Sequence, residues 1–135
     1  MSLTAEERAI MVNMEFEKAV RFSDQARKNA EIKEWDVVAN RLYYAMFHAV
    51  SALLIHDKHK VGTHKGAVMM FGQHYVRTGV FSANEGRLYS QLQTMREKAD
   101  YNSAWQTSED IMAPLIEPAT MFIDKIKDQI QDMLY

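Results

Sequence analysis

The run NRLYYAMFHAVSALLI, residues 40–55, is the most apolar segment of a 135-residue chain, and one thin polar line follows it. On an α-helix Arg41, Tyr44, His48 and Ser51 stand three, four and three positions apart, which places all four within about a third of the circumference. Leu42, Tyr43, Met46, Phe47, Ala49, Val50, Leu53 and Leu54 fill the other directions. A helix apolar almost all round is packed on several sides, so this one is predicted to be central. Its polar line must then find hydrogen bonds in a cleft or an interface.

Working outward, Thr4 with Glu7 forms a capping-box pattern, and Val12, Phe16 and Ala19 recur at helical spacing, predicting a first amphipathic helix that fades near Asn29. A second runs from about Lys33 through the opening stretch to about Asp57. KHKVGTHKG, residues 58–66, reads as a basic loop, with Thr63 capping a third helix over 64–78 that has a weak point at Gly72 and a stop at Gly79. GVFSANEG reads as a second loop and 87–99 as a fourth helix with Leu88, Leu92 and Met95 inward. Thr107 or Ser108 caps a fifth, with Glu109 and Asp110 in its first turn, Ile111, Leu115, Phe122, Ile126, Ile130 and Met133 inward, and Pro118 expected to kink or split it. No stretch alternates with a period of two. The prediction is one all-α domain over 1–135, an up-and-down bundle of four to five helices.

The composition is that of an ordinary globular chain, with 5 Gly and 2 Pro. Cysteine is absent, which excludes disulfides, thiolate metal sites and thiol nucleophiles. No basic-then-apolar leader is visible at the N-terminus, and the apolar stretch is too short for a bilayer, so a cytoplasmic protein without membrane contact is expected. The net charge of −2 argues against a general nucleic-acid coat. Residues 56–96 nevertheless carry a surplus of four positive charges, whereas residues 97–135 hold eight acids against three bases. Two pairing helices would produce that asymmetry, and so would an anionic ligand near the middle.

Three groups of residues carry chemistry. Arg41 and His48 are seven apart, about 10 Å along a helix on one face, and with Tyr44 they are types an RNA-cleaving site uses: an imidazole to move a proton, a guanidinium to hold phosphate, a hydroxyl to position it. The structural alternative ties both to acids on a neighbouring helix. Arg96 and Asp100 form an i, i+4 pair beside Tyr101, and Asp100 has either Arg96 or Arg41 as its partner. His56, His59 and His64, among Lys58, Lys60 and Lys65, match no compact metal-ligand spacing, so contact of this basic loop with phosphate is expected in place of a metal or other cofactor.

The blocks Arg41-Leu42-Tyr43-Tyr44-Ala45-Met46-Phe47-His48-Ala49, Thr63-His64-Lys65-Gly66, Phe71 through Thr78-Gly79, and Arg96-Glu97-Lys98-Ala99-Asp100-Tyr101 together resemble the small HEPN-domain proteins over about residues 15–130. The resemblance implies a helical domain that pairs as a homodimer, a toxin-like role beside a nucleotidyltransferase antitoxin, and metal-independent RNase activity. The family's active members carry an Arg followed after four to six residues by His on the penultimate long helix. Here that place holds Arg96 and Asp100, and no His follows His74. Arg41 and His48 satisfy the spacing on an earlier helix. The candidates are therefore Arg41 and His48 for catalysis, with Tyr44, Arg96, Asp100, Tyr101, His64 and Lys65 binding nucleotide or RNA. The alternative is a non-enzymatic homodimeric interaction module.

Overall fold

The computed structural model describes residues 2–60 and 62–135, so Val61 of the basic loop lies outside the described residues. Thr4 opens α1 (Ala5–Glu31) with the predicted capping box: its hydroxyl accepts from the Glu7 amide at 3.0 Å while its own amide donates to the Glu7 carboxylate at 2.8 Å. α1 and α2 (Trp35–His56) pair antiparallel. Arg8 donates to the Ile55 carbonyl, Glu15 meets His48, and Gln25 meets Arg41, so early residues of one helix face late residues of the other.

Both helices end in a way that glycine counting cannot detect. Lys33 takes φ 61°, with its amide donating to Ala30 O at 3.1 Å and that of Glu34 to Asn29 O at 2.9 Å. Lys58 takes φ 67°, with its amide on Ile55 O at 3.1 Å and that of His59 on Leu54 O at 2.8 Å. These are Schellman motifs with a lysine in the left-handed position usually given to glycine. The start of α2 is accordingly Trp35, beyond the left-handed Lys33.

α2 is central as predicted, packing against α1, α3, α4 and α5, with Leu42, Tyr43, Met46, Ala49, Val50, Leu53 and Leu54 buried. At 22 residues it is long and apolar enough to cross a membrane, contrary to the length argument from the apolar stretch alone, but 72% of its apolar window is buried inside the bundle. That is the surface the core consumes.

Thr63 caps α3 (His64–Phe71), accepting from the Gly66 amide at 2.9 Å. The helix changes to a π-helical turn over Gly72–Val76 at the weak point, and Gly79 stops the segment at φ 85°. The expected loop before the fourth helix is a correction: α4 (Ala83–Tyr101) begins four residues before Arg87. Ser82 and Glu85 form a second capping box. Gly86, read as a loop marker, is a point of close approach, where a Cβ would meet the Val76 side chain at 2.9 Å.

α5 (Glu109–Gln129) is not split, although Pro114 and Pro118 both lie inside it. The carbonyls they leave without a donor belong to Asp110 and Pro114, which sit with Pro118 on one exposed stripe open to solvent. The inner face is Met112, Ala119, Phe122, Ile123 and Ile126, with Ile130 just beyond the helix, whereas Ile111 is 49% exposed. A short 3-10 turn, Gln131–Met133, returns the tail to α1, where Asn13 donates to Met133 O and accepts from the Tyr135 amide. The described residues contain no strand.

Candidate functional site

The polar line of α2 meets three different environments. At its N-terminal end Arg41 turns to α1: Nε and Nη2 donate to Asn40 Oδ1 at 2.9 and 2.6 Å, Nη1 donates to Gln25 Oε1 at 3.1 Å, and the guanidinium lies 4.8 Å from the centre of the Phe22 ring. At its other end Ser51 is buried and donates to Phe47 O on its own helix, a purely local bond. Between them, His48 Nδ1 lies 2.5 Å from Glu15 Oε2 of α1, with side-chain exposures of 14% and 25%. Arg41 and His48, expected to act together in catalysis, are held by different partners. Arg41 is held by amides, and no hydrogen bond joins it to His48.

The cation that faces the middle of the line is Arg96 of α4, whose guanidinium sits 5.7 Å from the Tyr43 ring centre and 5.9 Å from that of Tyr44. Asp100 pairs with Arg96 at 3.4 Å, which answers the question of its partner in favour of its own helix. Burial works against the charged guanidinium of Arg96, but the Tyr44 hydroxyl, the two tyrosines and Asp100 outweigh it, and its pKa is raised. Arg96 is a permanent charge here.

The capped start of α3 delivers His64 to the same place. Its Nδ1 is 2.6 Å from the Tyr43 hydroxyl and its ring centre 4.4 Å from that of Phe47. Burial lowers the pKa of His64, and the Arg96 guanidinium and the neighbouring His48 imidazole lower it further, with Asp100 opposing them in part. Burial likewise raises the pKa of Tyr43, which therefore keeps its proton. A Tyr43 hydroxyl that donates to Nδ1 leaves the imidazole proton on Nε2, so His64 presents a neutral donor to the site. His48 is set the other way. A carboxylate accepting from Nδ1 leaves its Nε2 lone pair free.

Tyr44, His48, His64, Arg96 and Asp100 are thus gathered by α2, α3 and α4. Lys65 is exposed on the first turn of α3, and Tyr101, 91% exposed at the end of α4, makes no bond within the cluster. The other loop histidines diverge: His56 lies between Asp57 and Asp132, and His59 stacks on His74 with ring centres 4.1 Å apart. Sequence reading missed Glu15 and Tyr43. Glu15 lies between the apolar positions of α1 and reads as solvent-facing. Tyr43 is fully buried, and its signal was available, because a tyrosine on a core face needs a partner for its hydroxyl.

A sequence profile of the HEPN domain matches residues 12–129. Among relatives, the chain is 36% identical over 99 residues to a Methanocaldococcus jannaschii protein named "Putative toxin MJ0605", covering 73% of this chain and 72% of that one. It is 32% identical over 94 residues to a UPF0332 protein of Thermotoga maritima, 70% and 71% of the two chains. A second M. jannaschii protein, "Putative toxin MJ0142", is 25% identical over 120 residues, 84% of this chain and 80% of that one. The profile spans the whole arrangement of α2, α3 and α4 that assembles the site, and the chain belongs to the HEPN-domain family.

Proposed function

We propose that this chain is a toxin-like cytoplasmic component of a toxin–antitoxin pair, that it pairs with a second copy of itself as a homodimer, that a nucleotidyltransferase is its antitoxin, and that it cleaves RNA without a metal at the Glu15–His48, His64 and Arg96 cluster. The observation that carries the chemistry is the 2.5 Å contact of His48 Nδ1 with Glu15. With that carboxylate accepting from Nδ1, Nε2 serves as the proton acceptor, and the Tyr44 ring adjoins both this imidazole and the Arg96 guanidinium.

In this reading His48 Nε2 takes the proton of a ribose 2′-hydroxyl, and O2′ forms a bond to the adjacent phosphorus as the bond from phosphorus to O5′ breaks. The 5′ oxygen leaves with a proton from water, and a 2′,3′-cyclic phosphate remains. Arg96 and the neutral His64 donor offset charge that develops on the non-bridging oxygens. The names of the M. jannaschii relatives support the toxin role.

The test is labelled single-stranded RNA with chelator present. Wild type cuts; His48→Ala and Arg96→Ala lose about 10²-fold or more; Glu15→Gln loses less. Undiminished cutting by His48→Ala removes the assignment. A second reading, a non-enzymatic dimeric module, draws on the absence of a histidine after Arg96, where Asp100 stands instead. It predicts that no variant alters RNA and that His48→Ala only lowers the melting temperature.

A further inference from the structure

The Arg41 end of the line borders an open recess of about 460 Å³ between α1 and the first turns of α2, within the range of small-molecule sites. Its lining is Gln25, Asn29, Asp36, Val37, Asn40 and Arg41. Three carboxamides, one carboxylate and one guanidinium around a single recess is an unusual share of hydrogen-bonding side chains, and their internal bonds define what remains to offer.

Arg41 accepts nothing, so the carbonyl oxygens of Asn40 and Gln25 are the atoms turned towards it, and both amides keep their N–H groups free. The Asn29 amide nitrogen donates to the Gln25 carbonyl on its own helix at 2.8 Å, leaving Asn29 Oδ1 as an acceptor. Asp36 Oδ1 accepts from the Thr107 amide at 2.8 Å, leaving Oδ2. Three of the five N–H donors of Arg41 are occupied and one of its faces rests on Phe22, so two N–H groups and the other face remain for a planar ligand. The recess therefore combines a cationic stacking plane, amide donors, and acidic and neutral acceptors. Asp36 and Asn40 also line the crevice that holds Arg96 and Asp100, so the recess adjoins the proposed phosphate site.

We infer that the Gln25, Asn29, Asp36, Asn40 and Arg41 recess is a nucleobase subsite that selects guanine next to the cleaved phosphate. Single-stranded RNA is read by stacking bases on aromatic or guanidinium planes and hydrogen-bonding their edges. Guanine supplies O6 and N7 as acceptors for the amide donors, and N1–H and N2–H for Asp36 and Asn29. Adenine offers no carbonyl to those donors. The inference rests on the ribonucleotide reading of the neighbouring cluster and names its substrate preference.

Calorimetric titration with guanosine, the four nucleoside 5′-monophosphates and ribose 5-phosphate tests it, on wild type, Asp36→Asn, Asn29→Ala and Arg96→Ala, each confirmed folded by its melting curve. Asp36→Asn keeps an acceptor for the Thr107 amide while removing the charge. GMP is expected to bind about tenfold or more tighter than AMP. Asp36→Asn and Asn29→Ala erase that preference and leave ribose 5-phosphate unchanged, whereas Arg96→Ala weakens every phosphate ligand and spares guanosine. Equal affinity for all four monophosphates, unmoved by Asp36→Asn, overturns the base site and leaves the phosphate site standing. Guanosine binding that Asp36→Asn abolishes, with no gain from a phosphate, supports the recess and counts against the cluster; no binding of any ligand removes both.

Discussion

Tyr89 shows how a side chain at the centre of the bundle can be out of balance with its surroundings. It is fully buried among the rings of Tyr43, Phe71 and Phe122, and its hydroxyl has no hydrogen-bond partner among the described residues. Burial raises its pKa, with the nearby Tyr43 adding to the effect, so it stays neutral and still lacks an acceptor. A buried polar group without a partner costs about 1–3 kcal/mol. Tyr89→Phe is therefore expected to stabilise the protein by about 1 kcal/mol, read as a higher urea midpoint with an unchanged slope; an equal or lower midpoint contradicts it. Tyr43 is the contrasting case. Equally buried, it spends its hydroxyl on His64 and becomes part of the site. Both tyrosines look alike in the sequence, as aromatic residues on apolar faces. Which hydroxyl has a partner depends on where α3 begins, and that is a tertiary fact.

Helix starts were legible because their signals are chemical. Thr4 with Glu7 and Thr63 are side chains that satisfy amides within a few residues, so local sequence suffices. The start of α4 carried the same signature in Ser82 and Glu85, hidden only because Gly86 suggests a loop. Helix ends were less legible, since Lys33 and Lys58 occupy the left-handed position against their intrinsic preference. A non-glycine residue there costs about 1 kcal/mol. Lys33→Gly should thus raise stability by about 0.5–1 kcal/mol, seen as a melting temperature higher by about 2–4 °C. A lower melting temperature would show that the Lys33 side chain contributes more than its backbone strain removes. The prolines of α5 mislead in the opposite sense, because Pro114 and Pro118 fall on the exposed stripe. Pro breaks a helix least where water can reach the freed carbonyl, and only the packed phase of α5 reveals that this is the case.

Besides the Asn13 bonds to Met133 and Tyr135, one histidine ties the C-terminal tail to the bundle. His56 at the end of α2 bonds Asp57 through Nδ1 at 2.6 Å and Asp132 of the tail through Nε2 at 2.7 Å, and Tyr75 of the π-helical turn donates to Asp57 at 2.7 Å. Burial alone would lower the pKa of His56, but the two carboxylates outweigh it and the net shift is upward. A group whose folded pKa lies above its unfolded value, about 6.5 for His, contributes stability that is complete below that value and is lost as pH rises through the folded pKa. Melting temperature is expected to fall as pH rises above about 6.5 in wild type, and His56→Gln is expected to flatten that fall; equal slopes in both proteins refute the latch. Nothing in the spacing of His56 and Asp132 announces this pairing, which joins residues 76 positions apart. The same division runs through the site. Helical periodicity and capping chemistry are local, so the all-α architecture, the central place of α2 and the candidates Tyr44, His48, His64, Arg96 and Asp100 could be read from the chain. The partners of those residues are set by how α1, α3 and α4 pack on α2, and that packing sends Arg41 to Gln25, gives His48 to Glu15, and brings Arg96 to the tyrosines.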